Sequence, residues 1–283
     1  MFVTIEYTLS PKKEVIILLK GLFGNQNVGR ILLFLFVNEK CYATQIQSLL
    51  GVPLTPIQKA LHKLEKEGVI HSNYEGKIRI YRFNNDYPLF NELEMLLKKA
   101  YTLLSSHEKK CYCFIHKPRF FFVEEVDRER KRKSALLGFW GRLITVQSLL
   151  FSAKSRKNGQ QSFKTGNAEV HTLIPSPSIL IFQEKGRWIQ DPLCETVFTN
   201  SFRWTLDVNS SLITLEHLRY GIEQPVFLFH LAPTQPHMLE SVDAHLCGED
   251  TYLGHIVWNK TQIDFNWRII GLHKNDHLIY RYS

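Results

Sequence analysis

The chain has 283 residues, of which 44% are hydrophobic and 12% aromatic, so it is long enough for two domains with real cores and is not expected to be disordered. Charged residues precede the first apolar run, and no run approaches the roughly 18–20 residues that span a bilayer, which argues against a signal peptide and a membrane partner. Five cysteines at scattered positions argue against a disulfide framework and favour a cytoplasmic protein.

The net charge of +8 lies entirely in the first part of the chain. Residues 1–133 hold 22 Lys and Arg against 14 Asp and Glu, whereas residues 134–283 hold 13 of each. Excess positive charge that is confined to one region is typical of a segment that binds a polyanion. The distribution therefore predicts a nucleic-acid partner for the first part alone.

Residues 42–70 predict two helices joined by a tight turn, preceded by a dense apolar run at residues 28–37 that predicts a buried helix. The first helix of the pair is expected to end at Gly51, which can adopt the left-handed conformation. The second is expected to begin with Thr55 as its N-cap, Pro56 as its first residue and Gln58 completing a capping box. This arrangement is a helix-turn-helix.

The second helix is predicted to have one apolar and one basic face and to end at Gly68. Its apolar residues recur at helical spacing and are Ile57, Ala60, Leu61 and Leu64. The residues that project from the other side are Gln58, Lys59, His62, Lys63 and Lys66.

Residues 69–84 predict a basic hairpin directly after this helix. Two strand-like runs flank the turn pair Glu75-Gly76, and in the second run Lys77 and Arg79 alternate with isoleucines. A basic hairpin in this position is typical of the wing of a winged helix.

Residues 22–104 resemble the winged-helix domains of bacterial regulators related to the arsenic-repressor family, on the pattern P…QKALHKLEKEGVI…EGKIRIYRFN…PLFNELEMLL. The resemblance implies a double-stranded DNA partner and a wing served by Lys77, Arg79 and Arg82. It implies that the major groove is contacted by Thr55, Gln58, Lys59, His62 and Lys63. The metal-sensing cysteine cluster of some relatives is absent, so no metal site is expected.

A helix predicted at residues 86–104 would form the dimer contact in such regulators, and we expect a homodimer. Its apolar pattern alone does not separate a dimer seam from packing within the chain. The apolar residues are Leu89, Leu93, Leu96, Leu97, Ala100, Tyr101 and Leu104.

Residues 105–134 are expected to be a charged linker between a domain at residues 1–104 and a domain at residues 135–283. Cys111, Cys113 and His116 are three potential metal ligands without a fourth, so a strand with both cysteines on one face is favoured. The basic run at residues 128–133 is expected to be a solvated helix or linker.

From residue 136 onward, short apolar and aromatic runs predict an antiparallel β-barrel. The predicted strands are residues 143–151, 179–184, 196–206, 212–218, 226–231, 255–258, 264–270 and 278–282. Predicted turns lie at residues 157–159, 175–177, 185–186 and 208–209. The fold class is therefore α+β and multidomain, with an N-terminal winged helix-turn-helix and a C-terminal barrel.

Two resemblances concern the barrel. Gly138-Phe139-Trp140 resembles the G-x-W signature of lipocalin-like barrels, which implies that Trp140 plugs one end with Arg281 or Arg268 across its ring. The longer pattern GFW…SFKTGNAEV…FRWTL…AHLCGEDTY…WRIIGLHKND is similar to an uncharacterised family, domain of unknown function 6314. That family implies a fold and no activity.

A lipocalin-like barrel holds a small apolar ligand when its side chains leave space inside. The stretch HLCGEDTY at residues 245–252 is interpreted as a hairpin, in preference to a catalytic or metal centre, and no catalytic residue is assigned. The candidate pocket residues are Trp140, Trp204, His245, Cys247, Asp250, Tyr252, Trp267 and Lys274.

Three functions remain open at this stage. The favoured one is a dimeric DNA-binding transcriptional regulator whose barrel senses a small ligand or partner. The second is an enzyme or haem-binding barrel that uses His245, Cys247 and Asp250, with the DNA-binding part as an autoregulatory attachment. The third is a protein-interaction adaptor that does not bind DNA. The sequence identifies no cofactor.

Overall fold

A computed structural model describes residues 14–113, 125–157, 160–191, 194–272 and 274–283. The chain divides into two compact units, residues 1–114 and residues 115–283. Among the described residues, no helix combines the length and apolar character needed to cross a membrane.

The first unit contains helices and a small antiparallel sheet of strand order β1-β3-β2. Its elements are α1 Glu14–Phe23, α2 Gln26–Asn38, β1 Lys40–Cys41, α3 Ala43–Leu50, α4 Leu54–Lys66, β2 Ile70–Glu75, β3 Ile78–Phe83, α5 Phe90–Thr102 and α6 Ser106–Tyr112. Helix α2 buries nine residues between Val28 and Val37, as its apolar run predicts, and it packs against α1, α4, α5 and α6. It is the centre of this unit.

Helices α3 and α4 are joined by a three-residue turn. The chain leaves α3 through Gly51 in the left-handed conformation (φ 61°) and leaves α4 through Gly68 (φ 74°). The predicted capping box at Thr55 is wrong, because Pro53 takes the extended conformation that precedes a helix (φ −55°, ψ 147°) and the helix begins at Leu54. Thr55 is an exposed residue of the first turn.

Strands β2 and β3 form the predicted hairpin, with Glu75 opposite Ile78 and Gly76 in the turn (φ 63°). Ile80 is buried, whereas Tyr74 and Ile78 near the turn are exposed.

Helix α5 divides its apolar residues between two environments. Leu97, Ala100 and Tyr101 are buried, whereas Leu96 and the preceding Leu89 are exposed. Only part of the apolar pattern is therefore satisfied within the unit.

The expected strand at Cys111 and Cys113 is wrong. Ser105 accepts a hydrogen bond from the Glu108 backbone N–H, and the Glu108 side chain accepts one from the Ser105 backbone N–H, which is a capping box that starts α6. Cys111 is an exposed residue of this helix and Cys113 is buried at its end. His116 lies outside the described residues.

The second unit consists of one long helix and a barrel. Its elements are α7 Glu125–Leu143, β4 Ser148–Lys157, β5 Gln160–Ser176, β6 Ile179–Asp191, β7 Cys194–Asp207, β8 Leu212–His217, β9 Val226–Gln235, β10 Met238–Ser241, β11 His245–Cys247, β12 Asp250–Trp258, β13 Ile263–Ile270 and β14 Asn275–Tyr282. Ten of the described strands, all except β11, close into an antiparallel barrel through pairing of β10 with β12. The predicted antiparallel barrel is confirmed.

The start of the barrel differs from the prediction, because Gly138-Phe139-Trp140 belongs to α7 and the first strand begins only at Ser148. Helical spacing places four side chains of α7 in the core of the barrel: Leu136, Phe139, Trp140 and Leu143. A Cβ on Gly138 would lie 2.9 Å from the Trp258 ring, so this glycine permits close packing of the helix.

The interval expected to be a linker, residues 105–134, contains α6 and the first half of α7.

Trp140 is held by its indole N–H, which donates to the Pro177 carbonyl at 3.1 Å. The two arginines expected across its ring donate hydrogen bonds to β13 and β14. The Arg281 Nε donates to Asp264 at 2.8 Å, and Arg268 donates to the Asp276 carbonyl at 3.3 Å.

The predicted turn at Lys185-Gly186 is also wrong, because both residues lie inside β6. A Cβ on Gly186 would lie 2.0 Å from the Asn167 carbonyl oxygen, and one on Gly166 would lie 2.4 Å from the Arg187 carbonyl oxygen. The two glycines therefore allow β5 and β6 to approach closely where these long strands bend around the barrel. The chain does turn at Val208-Asn209, while Asn158 and Gly159 lie outside the described residues.

Candidate functional sites

Side chains fill the interior of the barrel at the end that α7 covers. Trp204 is 1% exposed and contacts the rings of Phe139, Phe182 and Phe265, with centroid distances of 5.8–6.2 Å. This end is a packed core.

Toward the other end of the barrel, the interior side chains are less buried. Every second residue of a strand faces inward, and five inward-facing residues pack on the core while remaining only half-buried: Phe151, Phe198, Tyr252, Leu278 and Tyr280. Small residues occupy neighbouring inward positions, namely Ala153, Gly166, Ala168 and Gly186. Solvent therefore reaches an interior space lined by these residues, which we call the lumen.

Glu184 is a buried carboxylic acid in the interior of the barrel, where Lys164, Asn200 and His217 also occupy inward positions. It is 1% exposed. The Tyr282 hydroxyl donates to its Oε1 at 2.7 Å, and the Asn200 amide donates to its Oε2 at 3.3 Å. Burial raises the pKa of Glu184 to about 7, although both hydrogen bonds act in the opposite direction. The carboxyl group is thus poised between its neutral and charged forms at neutral pH.

Our sequence analysis missed Glu184. A signal was present, because Leu180, Phe182 and Glu184 are spaced by two residues and so share one face of a strand. That face is buried, and the glutamate continues it inward.

Two histidines stand on the lumen side of the wall. The His217 ring stacks on Phe202 at 4.8 Å, and the His245 ring meets Phe227 edge-on at 5.0 Å. Burial lowers the pKa of both imidazoles, and the charge of Arg219 lowers that of His217 further. Both rings are therefore mainly neutral at pH 7.

HLCGEDTY is the hairpin formed by β11 and β12. His245 pairs with Tyr252 and Cys247 pairs with Asp250, and Gly248 takes the left-handed conformation in the turn (φ 60°). His245 is half-buried, whereas Cys247 is exposed.

Three of the predicted pocket residues meet at the edge of the lumen. The Lys274 Nζ donates to the Asp250 carboxylate at 2.5 Å and to the Tyr252 hydroxyl at 3.3 Å. The hydrogen bond to Asp250 raises the pKa of Lys274 above its ordinary value, against the effect of burial. A Cβ on Gly271 would lie 1.8 Å from the Asp250 Oδ1, so Asp250 lies directly over the turn between β13 and β14. Asp250 and Lys274 therefore have a structural role, because together they hold this turn in place.

The three predicted tryptophans are buried. Trp140 and Trp204 lie in the packed core and do not line the lumen. Trp267 belongs to the same buried cluster and stacks on Tyr280 at 5.3 Å. Within the described part of the chain, no three His, Cys, Asp or Glu residues are grouped closely enough to hold a metal ion.

In the first unit, α4 presents a polar and basic face. All five predicted groove-contacting residues are exposed: Thr55, Gln58, Lys59, His62 and Lys63. Lys63 lies 3.9 Å from Glu67. The opposite face of the helix is buried, so these side chains project outward.

The predicted wing cations are not equivalent. Arg79 donates to Glu65 at 2.7 Å and to Ser72 at 2.8 Å, which ties the hairpin to α4. Arg82 donates to Glu75 and Asn73 across the hairpin. Lys77 is exposed beside the turn. These acidic partners were not anticipated from the sequence.

Two solved structures are similar to part of the chain. One is a redesigned beta barrel, mFAP1, bound to DFHBI, with 14% identity over 54% of this chain and 98% of that chain and a TM-score of 0.26. The other is the S-type phycobiliprotein lyase CPES from Guillardia theta, with 8% identity over 57% of this chain and 97% of that chain and a TM-score of 0.31.

No curated protein matches the chain. A family match exists for the second unit, and it covers every strand from β4 to β14. Residues 145–283 match the model described as Family of unknown function (DUF6314), which confirms the family resemblance for this part of the chain.

Proposed function

We propose that the protein is a DNA-binding transcriptional regulator whose barrel binds a small apolar ligand and thereby modulates DNA binding. The observation that carries DNA binding is the exposed polar and basic face of α4, which is followed directly by the β2–β3 hairpin. Both features lie in the part of the chain that holds all of the excess positive charge.

The order of elements in the first unit supports this proposal. Strand β1 precedes α3 and α4, and it pairs with β3 beside β2. This order supports a winged helix, in which the second helix of the pair lies in the major groove and the hairpin contacts the flanking backbone. Side chains of α4 then have distinct roles: Gln58 and His62 contact base edges, while Lys59 and Lys63 contact phosphates.

The ion pairs refine the role of the wing. Because Arg79 and Arg82 are held by Glu65 and Glu75, they fix the position and shape of the hairpin. Lys77 forms no ion pair in the described part of the chain and supplies the phosphate contact of the wing.

The exposed side of α5 supports a homodimer. Leu89 and Leu96 are 58% and 36% exposed, and a groove of about 320 Å³ lies between this side of α5 and the end of α4. A second copy that covers this surface would place two α4 helices on half-sites roughly 34–36 Å apart. Light scattering of the purified chain measures the oligomeric state.

The test of DNA binding replaces both phosphate-contacting lysines of α4. We expect Lys59→Ala with Lys63→Ala to weaken binding to a duplex from the chain's own upstream region and to lower the salt slope of the dimer by roughly 4, about one unit for each of the four phosphate contacts removed. Gel-shift titrations over a salt series measure both quantities.

Lys154→Ala with Lys185→Ala is the matched control, because it removes two exposed lysines from the outer face of the barrel. It should leave affinity and slope unchanged. Unchanged binding by the double variant would remove α4 from the interface, and a wild-type chain that ignores duplex DNA at low salt would favour the adaptor function.

Ligand binding by the barrel is supported by the lumen, since five inward-facing apolar residues remain accessible there. We expect ANS, an anionic naphthalene dye, to bind the chain and gain fluorescence. Ala153→Phe places a phenyl ring in the lumen and should weaken ANS binding about tenfold or more. The ring takes the place of apolar contacts between dye and wall, and the loss of contact area comparable to one phenyl ring costs over about 1.4 kcal/mol. Lys154→Phe, at the next and outward-facing position, should leave it unchanged, and an equal loss in both variants would contradict a lumen site.

A further inference from the structure

The lumen combines aromatic walls with one buried carboxyl group, and the following inference rests on the proposed ligand binding by the barrel. We propose that the ligand is a lipophilic organic cation, held in the lumen by the Glu184 carboxylate and by the aromatic rings around it.

Glu184 has no counter-charge among the described residues. Buried carboxyl groups are normally paired with a cation, because an isolated charge is costly to remove from water. Glu184 forms no ion pair within the part of the chain that the structure describes, and its contacts are two neutral donors, Tyr282 and Asn200. Each carboxylate oxygen accepts one hydrogen bond and retains capacity for another. A bound cation would supply the charge that the protein lacks.

The aromatic lining also favours a cation. The Tyr280 ring stacks on Phe151 at 5.9 Å, and Phe151 meets Phe198 edge-on at 5.6 Å. Aromatic faces attract cations through their quadrupoles, most strongly where water is excluded. The wall already holds one ammonium group in this way, because the Lys164 Nζ lies 3.9 Å from the centroid of the Trp188 ring.

Among the charged groups of the lumen that the structure describes, Glu184 is the most deeply buried one without a neutralising partner. Lys274 is neutralised by Asp250 at the edge of the lumen. Lys164 belongs to the first half of β5, four residues closer to the less buried end of the barrel than Ala168. Tyr280 and Tyr282 interact electrostatically with Glu184. Burial raises the pKa of both phenols, so they stay neutral at pH 7.

The experiment compares two dyes of opposite charge on the full chain. Thioflavin T is a permanently cationic aromatic dye, and ANS is anionic. We expect wild-type protein to bind thioflavin T, and Glu184→Gln to weaken that binding about tenfold or more while ANS binding stays equal or becomes tighter. Glutamine retains the shape of the side chain and an acceptor for Tyr282. Ala153→Phe should weaken the binding of both dyes, which places them in the lumen.

Glu169→Gln is the matched control. It removes the same charge from an exposed, outward-facing position on β5 and should change the binding of neither dye. Equal thioflavin T affinity in wild type and Glu184→Gln would overturn the cation proposal. ANS binding without thioflavin T binding would also overturn it but would leave the ligand-binding function standing, whereas a chain that binds neither dye would refute that function.

A second measurement serves if Glu184→Gln does not fold. The affinity of wild type for thioflavin T should rise about tenfold between roughly pH 6 and pH 8, as the carboxyl group loses its proton. The dye itself carries the same charge throughout this range. A flat profile would overturn the proposal.

Discussion

At the scale of single residues, Glu184 is the feature that an apolar barrel core does not require. Placing a carboxyl group in an apolar interior costs free energy unless it is hydrogen-bonded, and more if it is charged. Tyr282 and Asn200 provide the hydrogen bonds but no charge. The position is therefore a site where stability is lower than an apolar residue would give, as is common where a protein binds a ligand.

The same residue predicts how stability depends on pH. The pKa of Glu184 is about 7 in the folded chain against 4.5 for an ordinary glutamate, so the folded state holds the proton more tightly. Below this range both states are protonated and nothing is lost. As the pH rises from 4.5 through 7, the unfolded chain ionises first and the free energy of unfolding falls, by roughly 3 kcal/mol in all.

Glu184→Gln should lack this loss, so its stability relative to wild type should increase between about pH 5 and about pH 8. Urea unfolding of both proteins across that range measures the difference. A constant difference would mean that the carboxyl group has the same pKa in both states. Glu169→Gln, on the surface, should follow the wild-type profile.

At the scale of elements, α7 determines which end of the barrel is filled. Its inward side chains follow one another at helical spacing, and Phe139 contacts both Trp204 and Trp258. The first half of the helix is charged, with ion pairs between Asp127 and Lys131 and between Glu129 and Lys133 one turn apart. One element thus combines a solvated half with a half that closes the core.

We expect Phe139→Ala to lower the free energy of unfolding by about 3–5 kcal/mol, because it leaves a cavity in the packed end of the barrel. Leu137→Ala, one position before Gly138 on the 50% exposed side, should change it by less than about 0.5 kcal/mol. Thermal and urea unfolding measure both. Similar losses for the two variants would contradict the placement of α7.

Elements with local signals could be predicted from the sequence, and those set by tertiary contact could not. Gly51, Gly68 and Gly76 mark the ends of α3, α4 and β2 through their left-handed backbone, and that requirement is visible locally. The helical state of Gly138 depends on the distant Trp258 ring, and the place of Gly186 inside a strand depends on its neighbour Asn167. Neither partner is adjacent in sequence.

The candidate sites follow the same division. The outer face of α4 follows from helical spacing alone, and the structure exposes every residue predicted there. The lumen could not be predicted without knowing how the strands close into a barrel. Only the register of the strands shows that Ala153, Gly166 and Tyr280 share one interior with Glu184. Trp140 and Trp204 were predicted to line a pocket because of their residue type. Both lie deep in the barrel and belong to its core.

At the scale of the whole molecule, charge and cavity are divided between two units. Residues 1–114 hold 15 Lys and Arg against 10 Asp and Glu, and the half-buried apolar interior of the barrel lies within residues 145–283. A regulator needs both a surface for a polyanion and a separate site whose occupancy reports a small molecule. The proposed function assigns one of each to this chain.

The central claim is that the first unit binds duplex DNA through charge-neutralising contacts. The most direct test is the anisotropy of a labelled duplex from the upstream region, titrated with the full wild-type chain between about 50 mM and about 200 mM salt. We predict saturable binding whose logarithmic affinity falls linearly with the logarithm of salt, with a slope of roughly −5 for a dimer with about six phosphate contacts. Absence of binding at the lowest salt, or an affinity independent of salt, would contradict the claim.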